Sequence, residues 1–255
     1  MMAWGTTYAS NAPSTTFVLV HPAWHGAWCW QKMVPLLEAK GHKVVVFDLP
    51  GHGKDQTPPE QVTFQDFVRK VVEMANAQQE SVVLVGHSSS GIIISQAAEQ
   101  LGPEKVAKLV YLDAFVPKNG ESLLTVVQKS IVPPPPGVEP TPSLASNVAP
   151  DGKTCTLTND MIEKLLYHNC TAEDAAFAKT RLCPEPMITF VTPVQLSETR
   201  FGVIPKYYIL CSEAKDFDKR HIPQNGPCHK VFTLPSGHMP YFSMPQRLVA
   251  VLDEI

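Results

Sequence analysis

Long apolar runs are what this chain most plainly lacks: nothing in it approaches the roughly 20 consecutive apolar residues of a membrane-spanning helix. Excess charge of one sign is missing too. The formal net charge is -3, with acids and bases scattered, which leaves no basic patch for nucleic acid and no cationic face for an anionic bilayer. The expected partner is therefore a small molecule. Cys29, Cys155, Cys170, Cys183, Cys211 and Cys228 show no close pairing and no Cys-x-x-Cys, and the histidines show no metal-ligand spacing. These absences argue against a disulfide framework and a zinc site, and reduced thiols in a cytoplasmic setting fit best. Residues 1–16, rich in Ala, Ser and Thr, lack the apolar core of a signal peptide and read as a loose tail. Nothing calls for a metal or an organic cofactor.

What is present is enough apolar material for one large core: 255 residues, 44% hydrophobic and 18% charged. Short apolar runs bounded by turn signals recur at Phe17 to Val20, Lys43 to Leu49, Val82 to Gly86, Lys108 to Asp113, Tyr207 to Cys211 and Lys230 to Leu234. They read as buried parallel strands. Helical spacing falls between them, at Trp30 to Lys40, Phe64 to Ala77 after a Thr63 cap, Ser89 to Leu101 before Gly102, and Met244 to Leu252. Such alternation predicts a doubly wound, mainly parallel α/β sheet. It breaks between about Pro117 and Gly202, where Pro133 to Pro136 and Pro140-Thr-Pro142 open a segment with its own helical stretches, Asp160 to Tyr167 and Ala172 to Lys179. The expected organisation is a core of residues 17–117 and 202–255, with residues 118–201 inserted as a helical cap after the sixth strand of such a sheet.

The strand at Val82 to Gly86 runs directly into His87-Ser88-Ser89-Ser90-Gly91 and a helix. A strand-to-helix turn of this kind lifts the Ser88 hydroxyl above the sheet and places the positive end of a helix dipole behind it, as an esterase nucleophile requires. Ser90 stands where the last glycine of Gly-x-Ser-x-Gly is expected, with Gly91 one place later. Pro235-Ser236-Gly237-His238-Met239 follows the last predicted strand, so His238 lies on a loop at the same carboxyl edge as Ser88. A neutral imidazole there can take the serine proton and return it to a leaving group. His21 and His87 compete for that role, but each adjoins a strand end where loop ordering is the simpler use. An oxyanion hole needs one amide after the nucleophile and one from the loop after the first strand, which points to the N–H groups of Ser89 and Ala23.

The chain resembles the α/β-hydrolase superfamily and, within it, the plant methylesterase and hydroxynitrile lyase group with its bacterial relatives. The resemblance covers nearly everything after residue 16. It rests on Phe17-Val-Leu-Val-His-Pro-Ala-Trp-His-Gly-Ala-Trp28, Leu36-Leu-Glu-Ala-Lys-Gly-His-Lys-Val44, Val85-Gly-His-Ser88, Leu166-Tyr-His-Asn-Cys-Thr-Ala-Glu-Asp174 and Gly237-His-Met239. It implies Ser88 as nucleophile, His238 as base and the Ala23 and Ser89 amides as oxyanion hole. Hydroxynitrile lyases of the group carry a lysine after the catalytic histidine and usually a threonine after the first-strand histidine, where this chain has Met239 and Pro22. Methionine is the esterase pattern. Relatives often pair as homodimers, which the resemblance alone implies.

The acid of the triad departs from the family. In Cys211-Ser-Glu-Ala-Lys-Asp216, Ala214 occupies the aspartate position, and a methyl group cannot orient an imidazole. Some α/β-hydrolases, haloalkane dehalogenases among them, hold the acid after the sixth strand, a position matched by Asp113. Asp216 and Glu213 are local alternatives, and a chain without an acid is the remaining one. The preferred reading is a serine carboxylesterase with Ser88, His238 and Asp113, acting through an acyl-enzyme on a small apolar or aromatic ester. Trp24, Phe115 and Met239 are expected near its mouth, either lining a substrate pocket or forming core. Rival readings are a hydroxynitrile lyase-like lyase and a non-catalytic ligand-binding protein, the latter favoured by Ala214.

Overall fold

The computed structural model describes residues 14–130 and 147–255. Nine strands follow in chain order: β1 (Thr16–Val20), β2 (Lys43–Val46), β3 (Val82–His87), β4 (Val106–Leu112), β5 (Asn147–Val148), β6 (Thr154–Thr156), β7 (Glu185–Pro186), β8 (Lys206–Cys211) and β9 (Lys230–Leu234). Six of them form one sheet in the order β2-β1-β3-β4-β8-β9, every pair parallel. Alternate residues feed opposite faces. Phe17 and Leu19 pack with Val83 and Val85 on one side, while Val18 and Val20 pack with Val82 and Leu84 on the other. Both faces are covered, the second by the helices Phe64–Asn76 and Ser90–Leu101, the first by Val34–Glu38 and Pro245–Glu254. Each such apolar side chain contributes on the order of 1.5–3 kcal/mol by leaving water.

Local chemistry explains where elements stop short of the sequence pattern. β2 ends at Val46, three residues before the expected Leu49, because Asp48 turns to accept the N–H groups of Ala27 and Lys54 and Pro50 has no N–H for a ladder. The helix expected from Trp30 to Lys40 divides into a 3-10 turn, Ala27–Trp30, and a short helix, Val34–Glu38. Pro35 is tolerated only in a first helical turn, so the helix begins beside it. The helix Phe64–Asn76 starts where expected, under a Thr63–Asp66 capping box.

Between β4, the fourth strand in chain order, and β8 the chain leaves the six-stranded sheet. The described part of this segment holds the helices Leu123–Ser130, Ala172–Lys179 and Ile188–Val191, with a short helix Asn159–Met161 that widens into a π-helical turn, Ile162–Leu166. It is not wholly helical, since β5, β6 and β7 form a small antiparallel sheet that the apolar pattern does not announce. Strands of two or three residues carry too little periodicity to be read. The proline runs at 133–136 and 140–142, and most of the expected N-terminal tail, lie outside the described residues. No helix among the described residues is long and apolar enough to cross a membrane.

The strand order reverses at β1: β2 lies on one side of it and β3 on the other. The carboxyl ends of β1 and β3 therefore diverge into loops that frame a crevice, the place where open α/β sheets collect functional groups.

Candidate active site

At the carboxyl end of β3 the chain turns through Ser88, which has φ +56, a left-handed conformation costly for a residue with a Cβ. Two glycines permit the turn. A Cβ on Gly86 would lie 2.8 Å from the Ser90 carbonyl, and one on Gly91 would collide with the Phe115 carbonyl. Gly91, rather than the residue before it, is thus the position that must stay bare, which explains why Ser90 is acceptable; its hydroxyl donates to the His21 carbonyl instead. The Ser88 carbonyl accepts from Gly91 and Phe115, fixing the turn to both the following helix and the end of β4. The Ser88 side chain itself is half-buried and engaged by no other group among the described residues.

His238 stands on the loop after β9, 2% exposed. The Leu166–Asp174 motif holds this loop from the insertion: a Cβ on Gly237 would lie 2.5 Å from Asn169 Oδ1 and 2.6 Å from His168 Cε1, and Cys170 Sγ donates to the Met239 carbonyl. His238 Nδ1 donates to Asp113 Oδ2 at 2.6 Å. Asp113 follows β4 with φ +42, its N–H donating to the Ile209 carbonyl and its Oδ1 accepting from the Cys211 N–H. Burial alone would raise the Asp113 carboxyl, but the Lys219 charge and the His238 hydrogen bond outweigh it and hold the group below its usual range.

Asp216, the local alternative, is also buried, with Oδ2 3.5 Å from His238 Nδ1. Glu213 is exposed, and Ala214 sits in the turn after β8. Between the two aspartates lies Lys219, a residue the sequence reading passes over. Its Nζ donates to Asp216 Oδ2 at 2.5 Å and Asp113 Oδ2 at 3.0 Å, and stands 3.5 Å from His238 Nδ1. Set in the charged stretch Lys215 to Arg220, it looks like a solvated face; its one signal is the three-residue spacing from Asp216. His238 Nδ1 and the carboxylate oxygens of Asp113 and Asp216 lie within 4.8 Å of one another, and the Lys219 ammonium is the cation that bridges the two carboxylates.

His87 lies behind His238, ring centroids 4.4 Å apart, with the Tyr241 hydroxyl against its Nδ1. Burial drives its basicity far below the ordinary value, so it is neutral. His25, held by the Ala23 carbonyl and Tyr167 hydroxyl, is pushed down to about 3 by burial. His21 bonds Pro22 and Leu49, ordering the loop after β1.

The Ala23 N–H and the start of the Ser90–Leu101 helix do come together: Ala23 donates to Ser89 Oγ at 2.9 Å, and the Ser89 N–H has no acceptor among the described residues. Trp24 follows with φ +64; its N–H donates to Glu185 Oε2 of β7 and its indole to the Cys155 carbonyl of β6. Glu185 also pairs with His52 at 2.7 Å. This cluster ties the insertion to the loop after β1, and no motif signals it. Trp24 packs edge-on to Phe190, Phe115 packs edge-on to Phe217, and Met239 Sδ accepts from the Tyr241 hydroxyl, all three residues buried.

The family described as "Alpha/beta hydrolase family" matches residues 17–251. A carbendazim hydrolyzing esterase from Nocardioides sp. (strain SG-4G) is 32% identical over 92% of this chain and 97% of its own. Methylesterase 7 of Arabidopsis thaliana is 32% identical over 94% and 95%. The crystal structure of polyneuridine aldehyde esterase superposes with a TM-score of 0.83 at 28% identity, covering 94% of this chain and 98% of that one. With a tight strand-to-helix turn on a parallel sheet and a family match over residues 17–251, the chain belongs to the alpha/beta hydrolase family.

Proposed function

We propose that the protein is a serine carboxylesterase of the cytoplasm, acting on small apolar or aromatic esters through an acyl-enzyme. One observation carries this reading: a serine held at φ +56 on the turn after β3, on the same sheet edge as a buried histidine whose Nδ1 is bonded to a carboxylate. Esterases among its relatives support it.

In this mechanism Ser88 Oγ attacks the ester carbonyl and His238 Nε2 takes its proton. Asp113 keeps the other ring proton on Nδ1 and stabilises the imidazolium that forms. The Ser89 hydroxyl rotates away from the Ala23 N–H, so that the Ala23 and Ser89 amides both meet the developing oxyanion; such a donor is worth about 3 kcal/mol in the transition state. Collapse expels the alcohol with a proton from His238, and water then releases the acid by the same steps. Trp24, Phe115 and Met239 give the surroundings their apolar character.

The test is turnover of short-chain aryl esters together with mass-spectrometric trapping of the acylated protein. A covalent acyl group on Ser88 during turnover is the expected result. Turnover of a cyanohydrin with no acyl adduct would replace the esterase reading with a lyase one, and no turnover above the Ser88→Ala background would remove it.

A further inference from the structure

Two buried carboxylates beside one catalytic imidazole are one more than a Ser-His-Asp site uses. Asp113 and Asp216 both reach His238 Nδ1, at 2.6 and 3.5 Å, and both contact Lys219. Lys219 sits closer to Asp216 than to Asp113, 2.5 Å against 3.0 Å, and competes with His238 for the same Asp113 oxygen, Oδ2. The other titratable groups around this cluster are neutral: burial holds His87 and His25 uncharged, and it raises the Tyr241, Tyr208 and Cys211 protons far above neutrality. Two carboxylates against one ammonium thus leave a single negative charge next to His238, the same charge that one aspartate alone would supply.

We propose that Asp216 and Lys219 form a counter-ion pair that keeps the charge beside His238 equal to that of one carboxylate, with Asp216 acting as a positioning residue that draws the Lys219 ammonium off Asp113. The inference rests on the esterase reading for the role of His238, though the charge balance it describes can be measured without turnover. Removing Asp216 alone leaves Lys219 to neutralise Asp113, and the imidazolium loses its stabilising charge. Removing Asp216 and Lys219 together returns a lone, ionised Asp113.

The experiment compares wild type, Asp216→Asn, Lys219→Met and the double variant, each checked for folding by circular dichroism. The readouts are His238 ring titration by NMR and the pH profile of kcat/KM on an aryl ester. In Asp216→Asn the His238 midpoint and the acid limb are expected to fall by about one pH unit or more, with turnover down about tenfold or more. The double variant returns the midpoint to within about half a unit of wild type and recovers most of the turnover. Lys219→Met, with two carboxylates and no cation, raises the midpoint. If Asp216→Asn does not fold, the rise in Lys219→Met and its reversal in the double variant carry the same comparison. An unmoved midpoint in the single variants, or a double variant no better than its parents, overturns the inference. Absence of ester turnover in wild type with the midpoints moving as stated would sink the esterase reading alone.

Discussion

Among the described residues, two buried histidine–carboxylate pairs have almost the same length, His238–Asp113 at 2.6 Å and His52–Glu185 at 2.7 Å, and their surroundings differ in kind. Around Glu185 the remaining hydrogen-bonding capacity is filled by neutral donors, the Trp24 N–H and the Thr189 hydroxyl. The pair joins β7 to the loop after β2. Around Asp113 the neighbours are charged, and the imidazole stands on the same sheet edge as an uncommitted serine. The same interaction thus holds two parts of the chain together in one place, and in the other, on the proposed reading, it keeps a base ready.

That contrast can be broken by experiment. Ser88→Ala should abolish ester turnover, by about 10⁶-fold in kcat if the site behaves as serine hydrolases do. Asp113→Asn should lower kcat by about 10⁴-fold, measured on a folded variant, because the imidazole loses its fixed tautomer. Glu185→Ala should do the reverse: about 3 kcal/mol less stability in urea unfolding, from a histidine left without its buried partner, and a far smaller loss of rate than Asp113→Asn. A Glu185 variant as impaired in rate as Asp113→Asn, yet fully stable, would erase the distinction.

The pH dependence sharpens it further. Burial pushes His52 down, but the Glu185 charge and hydrogen bond prevail and the net shift is upward from 6.5. A raised folded-state value means that the pair's contribution is complete below about pH 6.5 and is lost as pH climbs through the folded value. The stability gap between wild type and His52→Gln should therefore be widest in mild acid and narrow toward alkaline pH. The smallest effect, about 1 kcal/mol and none on turnover, is expected from Thr63→Ala, which removes a helix cap remote from both pairs.

What the sequence disclosed follows from which interactions are local. The parallel strands were legible because their apolar runs are buried on both faces, and the Ser88 turn because its glycines are neighbours in the chain. From the sequence Asp113 is the preferred acid with Asp216 and Glu213 as alternatives, since what separates it from Asp216 is about 1 Å of distance to His238 across 125 residues of chain. Lys219 and Glu185 escaped altogether. A lysine in a charged stretch and a glutamate before Pro186 look solvated, and their burial depends on partners from distant segments, Asp113 for the lysine and Trp24 for the glutamate.

Among the described residues, three positions other than glycine take a positive φ: Trp24, Ser88 and Asp113. They lie just past the carboxyl ends of β1, β3 and β4, three neighbouring strands. Each L-residue held there forgoes roughly 1–2 kcal/mol that glycine would not. A mutational library sorted only for folded protein should enrich glycine at the three sites, and the same library sorted for ester cleavage should reject it at 88 and 113. The two selections would diverge most sharply where the backbone is already bent out of its comfortable range, so a survey of fitness could locate the chemistry with no knowledge of the substrate.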